Sequence, residues 1–344
     1  MLQPDVYLVR GPQGLSPHAG EQRRVDPGGP RQPPIGQGPA EQGTLPERPL
    51  LGPWFRRQQI PLGLRLEYGD AIVDLGGSAV DALVPLLDGT RTIDELATAL
   101  APLPRQVVED LVATLAAEGV VVAGPPTGDE EALREAALAG IAPSVAAKRL
   151  ASARISLAGT GPLRDELARL LPGRVRCIRW DEPACAADLA VAAPAAEQLP
   201  ELRAWNMRCL EAELPWLLVL PFNGRFAAVG PLFVPGETCC YACLARRRAA
   251  ALPDPAEAFA LELAPGRYPL GRSLAAALAG LACACATRWL ARRDAALPGA
   301  FFALELEDGP ALTRHRVLRV PRCEACSPAS DGPPLLPWAS EEHR

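Results

Sequence analysis

Two short stretches decide how this chain is read: Gly236-Glu237-Thr238-Cys239-Cys240-Tyr241-Ala242-Cys243 and Pro321-Arg322-Cys323-Glu324-Ala325-Cys326. Each contains a Cys-x-x-Cys pair, a spacing that turns both thiolates of one pair toward a single ion. Two such pairs complete a tetrahedral zinc site of four sulfurs, with ligands Cys240, Cys243, Cys323 and Cys326. Four protein ligands leave no position for water, so the zinc expected here is structural and not catalytic. The metal would staple two distant segments together rather than fold a small finger. Two unrelated pairs of buried or redox thiols are the alternative reading.

Working outward, the 344 residues suffice for two domains with cores of their own. A formal charge of −5 gives no general attraction to phosphate backbones or anionic membranes, so neither nucleic acid nor membrane is an expected partner. Lys148 is the only lysine and has no glycine lead-in, which excludes a Walker A loop. Residues 1–20 lack a continuous apolar core, and the uncharged run Leu274–Thr287 is too short and alanine-rich to span a bilayer. Ten cysteines without an export signal point to a reducing, cytoplasmic setting.

Residues 1–46, dense in Pro, Gly and Gln without an apolar period, are expected to be a disordered tail; the true start codon could lie downstream. Residues 47–125 change character. Phe55–Leu62, Leu64–Tyr68 and Ala71–Leu75 are strand-like runs. Ser78 is expected to cap a helix through Leu87, and Thr92 with Glu95 forms a capping box for Ile93–Leu100. A third helix, Arg105–Glu118, carries Val108, Leu111, Val112 and Leu115 as an i, i+3, i+4, i+7 stripe, and Val120–Val122 closes the unit. Three strands followed by three helices is a winged helix-turn-helix plan. That third helix carries Glu109, Asp110 and Glu118 against Arg105, which argues against DNA in the groove it would enter.

Residues 126–150 read as a helical linker. From 151 to 330 strands and helices alternate, giving an α/β domain with a mainly parallel sheet: strands at 154–158, 174–180, 188–192 and 216–222, a hairpin-like strand at 225–234 that delivers the first cysteine pair, two strands at 300–307 and 312–320 that bring in the second, and helices at 162–171, 197–213 and 272–292. Residues 331–344 form a polar, Pro-rich tail.

The α/β part resembles the ThiF-like fold of adenylating enzymes. The block from Pro215-Trp216-Leu217-Leu218-Val219 through Gly230-Pro231-Leu232-Phe233 to Cys240-Tyr241-Ala242-Cys243-Leu244, with the late second Cys-x-x-Cys, carries that resemblance. The N-terminal unit resembles PqqD-like leader-recognition domains through Leu86-Leu87-Asp88-Gly89-Thr90-Arg91-Thr92-Ile93-Asp94-Glu95-Leu96. The combination looks like the partner protein of thiazole/oxazole-modified microcin (TOMM) cyclodehydratases, in the biosynthesis of ribosomal peptide bacteriocins. The resemblance implies binding of a precursor leader peptide, with a separate YcaO-type protein activating the backbone amide with ATP. It implies a non-catalytic subunit with no catalytic residue of its own; a homodimer is possible. The leader is expected to add as a strand beside Ala71, Ile72, Val73 and Asp74, over a groove that includes Val108, Leu111 and Val112.

Adenylating relatives use a glycine loop after the first strand to admit phosphates. Here the loop is Gly159-Thr160-Gly161-Pro162-Leu163-Arg164, and Asp181 stands where a ribose-binding acid would. The short Glu182–Asp188 crossover leaves no room for the phosphate-binding residues of such enzymes. Gly159, Gly161 and Asp181 therefore read as a vestigial nucleotide loop, and ATP is not expected to bind this chain. The alternative is an ATP-dependent adenylating enzyme acting on a peptide or carrier-protein terminus.

Overall fold

The computed structural model describes residues 7–10, 45–61, 63–68, 71–124, 134, 140–182, 184, 186–251, 270–307 and 309–327. The chain divides into two units, Met1–Leu150 and Ala151–Arg344. In the first, β1 (Tyr7–Arg10), β2 (Pro49–Leu51), β3 (Arg56–Ile60), β4 (Gly63–Tyr68) and β5 (Ala71–Gly76) precede α1 (Ser78–Leu83), α2 (Ile93–Ala99), α3 (Arg105–Ala117), β6 (Val121–Ala123) and α4 (Pro143–Ser152). A four-stranded antiparallel sheet runs in the order β1-β5-β4-β3. Strands β2 and β6, at the two ends of the strand-and-helix run, pair antiparallel, with Leu51 opposite Val121.

Local chemistry explains most of these elements. The Thr92 hydroxyl accepts the Glu95 N–H at 3.3 Å while the Glu95 carboxylate accepts the Thr92 N–H at 2.7 Å, the reciprocal box that starts α2. The apolar stripe of α3 is buried along its whole length, and Val108, Leu111, Val112 and Leu115 join Leu51, Leu66, Leu75 and Leu83 in one core. Each such side chain contributes about 1.5–3 kcal/mol by leaving water. Helix α1 starts from Gly77 rather than from a Ser78 cap, and it breaks into a 3-10 turn at Val84–Leu86 because Pro85 has no N–H to continue it.

Two expectations for this unit change. Tyr7–Arg10, placed by composition in a disordered tail, is strand β1 on the free edge of β5. A Tyr-Leu-Val run has strand propensity, and an exposed strand edge offers unpaired N–H and C=O groups to any segment that can reach it. The closing strand expected at Val120–Val122 is β6, but its partner β2 went unread, because a three-residue strand carries no measurable alternation. Of the connector, the described residues put helix at Pro143–Ser152, and residues 126–133 and 135–139 lie outside the described set.

The second unit runs β7 (Arg154–Gly159), α5 (Pro162–Leu170), β8 (Arg174–Ile178), β9 (Leu189–Ala193), α6 (Glu201–Glu211), β10 (Trp216–Leu220), β11 (Phe226–Phe233), α7 (Tyr241–Ala250), α8 (Arg272–Arg292), β12 (Ala300–Glu305) and β13 (Ala311–Arg316). Its sheet has 7 strands in the order β13-β12-β11-β10-β9-β7-β8. Strands β8, β7, β9 and β10 run parallel, while β10 through β13 are antiparallel. The sheet is therefore mixed rather than mainly parallel: β10–β11 and β12–β13 are joined by short hairpins, and β12 returns antiparallel to β11 after α7 and α8. The sequence run 197–213 splits at Pro200 into a 3-10 turn and α6.

Strands β9 and β10 are buried on both faces, which accounts for their unbroken apolar runs. Helix α8 packs on α5 and on the sheet. It is 21 residues long and passes by length and composition as a membrane span, yet most of its apolar window is buried inside the unit. Trp205, Trp216 and Phe233 fill a core that also holds Cys240, Cys243 and Cys323.

Candidate functional site

The first cysteine pair is set by the turn after β11. The Thr238 hydroxyl accepts the Val234 N–H at 2.9 Å and the Thr238 N–H returns to the Val234 carbonyl at 3.0 Å, closing a tight loop. Cys240 is then the extended residue that caps α7, and Cys243 falls in the helix's first turn. The buried Asn206 side chain fixes this start by accepting the Tyr241 N–H at 2.9 Å. The second pair follows β13, after Arg322 adopts a left-handed backbone with φ 53°.

The turns bring the four sulfurs together. Cys240 Sγ lies 3.9 Å from Cys243 Sγ and 3.7 Å from Cys323 Sγ, and Cys243 Sγ lies 3.6 Å from Cys326 Sγ. All four lie within 4.8 Å of one another. A zinc ion with Zn–S bonds of about 2.3 Å needs tetrahedron edges of about 3.8 Å, so the donor set fits a tetrahedral thiolate-bound metal. The Val320 N–H points at Cys243 Sγ at 3.3 Å, a contact that would share the thiolate's charge. Cys240, Cys243 and Cys323 are buried and Cys326 is half-buried.

The thiols differ in acidity. Burial pushes Cys240 up to about 11 and pushes Cys326 up as well, the latter helped by the neighbouring Cys240 charge. Against burial, the N–H groups of Cys326 and Ala325 hold the Cys323 thiol down to about 7. Metal loading must therefore expel protons. Cys239, next to the first pair, is 3 % exposed and raised to about 12 by burial; it stands outside the four-sulfur cluster.

Arginines bind the same two segments independently of any ion. Arg247, on α7, donates to the carbonyls of Leu318 at 2.6 Å and Arg319 at 3.1 Å. Arg319 reaches back to the carbonyls of Gly236 at 2.6 Å and Thr238 at 3.1 Å. Spacing could not have flagged this reciprocal strap, because its acceptors are backbone carbonyls far along the chain.

The glycine loop lies at the carboxyl end of β7, where neighbouring connections leave the sheet in opposite directions, the place open α/β sheets use for ligands. Gly159 and Asp181 line one cleft of about 470 Å³, while Gly161, φ 84°, caps α5 and does not line it. Gly159 has φ 135°, and a Cβ there would lie 1.9 Å from the Ala193 carbonyl oxygen on β9. Asp181 is bound by Arg179 through two contacts of 3.0 and 2.7 Å, which hold its carboxyl below the usual range. The Thr160 hydroxyl donates to Gln198 at 3.0 Å across the mouth. Arg164 and Arg179 face Asp181, Glu182 and Glu201 in this cleft, so its charge is mixed.

The residues chosen for a peptide groove separate into two sets. Val108 and Val112 are 0 % exposed and Leu111 is buried beside them, so these three serve the core of the first unit. On β5, Val73 packs toward that core while Ile72 and Asp74 alternate to the other face. Asp74 pairs with Arg65, directly opposite on β4, through two 2.7 Å hydrogen bonds. Ala71 begins β5, and β1 lies along the edge where a further strand was expected to add.

No family model matches this chain, and no curated protein matches its sequence. Solved structures do. The heterocyclase TruD superposes with a TM-score of 0.66 at 26% identity, over 82% of this chain and 43% of that one. A heterocyclase in complex with substrate and cofactor gives 0.65 at 22%, over 81% and 39%. The E. coli microcin C7 biosynthetic enzyme MccB with N-formylated MccA gives 0.53 at 13%, over 81% and 99%. The chain thus spans less than half the length of either heterocyclase and has the mixed α/β, ThiF-like fold of MccB.

Proposed function

We propose that this chain is the leader-binding partner of an azoline-forming cyclodehydratase of the TOMM type in ribosomal peptide biosynthesis. The first unit is read as a PqqD-like winged helix that takes the precursor's leader as an added strand at β5. The second is read as a ThiF-like scaffold whose Cys240, Cys243, Cys323 and Cys326 hold one structural zinc. A YcaO-type protein is the partner that uses ATP on the core peptide. Tethering the leader raises the local concentration of the core at that partner, without any chemistry by this chain.

The observation that carries this reading is the likeness to the heterocyclase TruD across both units, at 26% identity over 82% of the chain. The four-sulfur cluster supports the scaffold half of it. The test is reconstitution. The chain, a YcaO-type cyclodehydratase and a candidate precursor with its leader should give ATP-dependent loss of one water per ring, and omitting the chain should abolish it. Ring formation at an undiminished rate without the chain would refute the reading.

The cleft at Gly159 and Asp181 favours a second reading, an adenylating enzyme that acts on a peptide terminus. Against it stand the lack of a lysine near the loop and the engagement of Asp181 by Arg179. ATP–pyrophosphate exchange catalysed by the purified chain alone would favour this alternative.

A further inference from the structure

Strand β5 already has a partner on each side, β4 and β1. The β1 contact is antiparallel and in register over its whole length, with Tyr7 opposite Gly76, Leu8 opposite Leu75, Val9 opposite Asp74 and Arg10 opposite Val73. This occupied edge is made from backbone and is therefore tolerant of sequence; side chains at alternate positions supply selectivity. The other outer strand of the sheet, β3, carries exposed Arg56, Arg57, Gln58 and Gln59, the polar dress that protects an edge from pairing. Strand β5 carries one charged residue, Asp74, which Arg65 on β4 already pairs. Its resident is β1.

We propose that Tyr7–Arg10 is a resident strand on a peptide-accepting edge, and that an extended peptide gains β5 by displacing it. The exchange is antiparallel for antiparallel, so an incoming segment would pair with the same β5 residues that now pair with β1. Because β1 belongs to the same chain as β5, its pairing is intramolecular and does not depend on protein concentration. A competing strand would then see its affinity reduced by the fraction of molecules whose edge is free. Weak, unspecific strands would be kept out, while a leader with additional contacts could win the edge. This inference rests on the proposed function for the identity of the natural competitor, and not for the exchange itself.

The experiment uses a fluorescein-labelled peptide of residues 1–14 of this chain as the probe. It is titrated into the full chain and into the full chain carrying Leu8→Pro and Val9→Pro, which cannot keep a β ladder at those positions. The variant should bind the probe about tenfold or more tighter than the unaltered chain, and amide exchange along β5 should accelerate in the variant and slow again when the probe is added. Slow exchange along α3 reports that the unit is still folded. If it is not, the same comparison with residues 1–12 deleted replaces it. Equal affinity for both chains, or no binding to a folded variant, overturns the proposal. Because the probe comes from this chain, a precursor leader that fails to bind would count against the proposed function and leave this result standing.

Discussion

The sulfurs of Cys240 and Cys323 stand 3.7 Å apart although the two residues are 83 positions apart in the chain. Everything between, from α7 through β13, is a loop closed at that point. Cys323→Ser should leave about one metal equivalent unbound per chain and lower the melting temperature by roughly 10 °C, since several kcal/mol of metal-linked folding energy is lost. The Arg247–Arg319 strap should keep the segments adjacent, so the variant is expected to be weakened rather than wholly unfolded. Metal analysis with calorimetry on the same sample checks both parts. A freshly purified, unchelated chain without metal would remove the claim.

Asp294 is 7 % exposed and faces Arg288 at 2.7 Å and Arg292 at 2.9 Å at the end of α8. Burial raises its pKa, but the Ala296 N–H and the two guanidiniums outweigh it and the carboxyl sits below its ordinary value. A depressed carboxylate contributes stability that is complete above the unfolded pKa of about 3.9 and is lost as pH falls through the folded value. Asp294→Asn should therefore cost about 2 kcal/mol near pH 7, with the gap to the unaltered chain closing as the pH falls below the unfolded carboxylate value of about 3.9. Urea midpoints across that range measure it; a gap independent of pH would mean that the carboxylate's charge contributes nothing.

Capping and heptad-like spacing were legible because they act within a turn or two: Thr92 and Glu95 are three residues apart, and Val108 to Leu115 repeat on one helical face. The cysteine pairs were legible for the same local reason. Strand β1 was not, since its four residues sit in a Pro- and Gly-rich stretch and derive their order from a partner more than sixty positions away, as the Tyr7–Gly76 pair shows. Nor was the burial of Val108 and Val112 against Leu66 and Leu75: an apolar stripe reads alike whether it faces a core or a groove. In the second sheet the hairpin-like strand at 225–234 was legible, but the antiparallel return of β12 to β11 was not, because a connection through two helices looks like a crossover until strand neighbours are known.

That burial sharpens what substitution in the first unit should do. Val108→Asp would place an unpaired carboxylate at a 0 % exposed site and should unfold the unit, at a cost of about 4 kcal/mol or more. Ile72→Asp lies on the alternate face of β5 and should leave the melting transition within about 1 kcal/mol while weakening leader affinity roughly tenfold. Thermal melts and peptide titration on the pair separate core from contact. Unchanged peptide affinity in a folded Ile72→Asp chain would exclude that face from recognition.

The chain alone is expected to turn over no ATP, with hydrolysis appearing when a YcaO-type partner is added. Asp181→Ala should leave reconstituted activity within about twofold, because Arg179 already engages that carboxylate. Titration calorimetry showing micromolar ATP binding that disappears in Asp181→Ala would reverse this expectation.

Gly159 admits no side chain, because a Cβ would sit 1.9 Å from the Ala193 oxygen. Its requirement comes from β9 and the closure of the sheet, with no phosphate in the account. Any chain that brings the end of one strand this close to its neighbour's carbonyl needs a glycine at that position, so the residue on its own testifies to strand packing and says nothing of ATP.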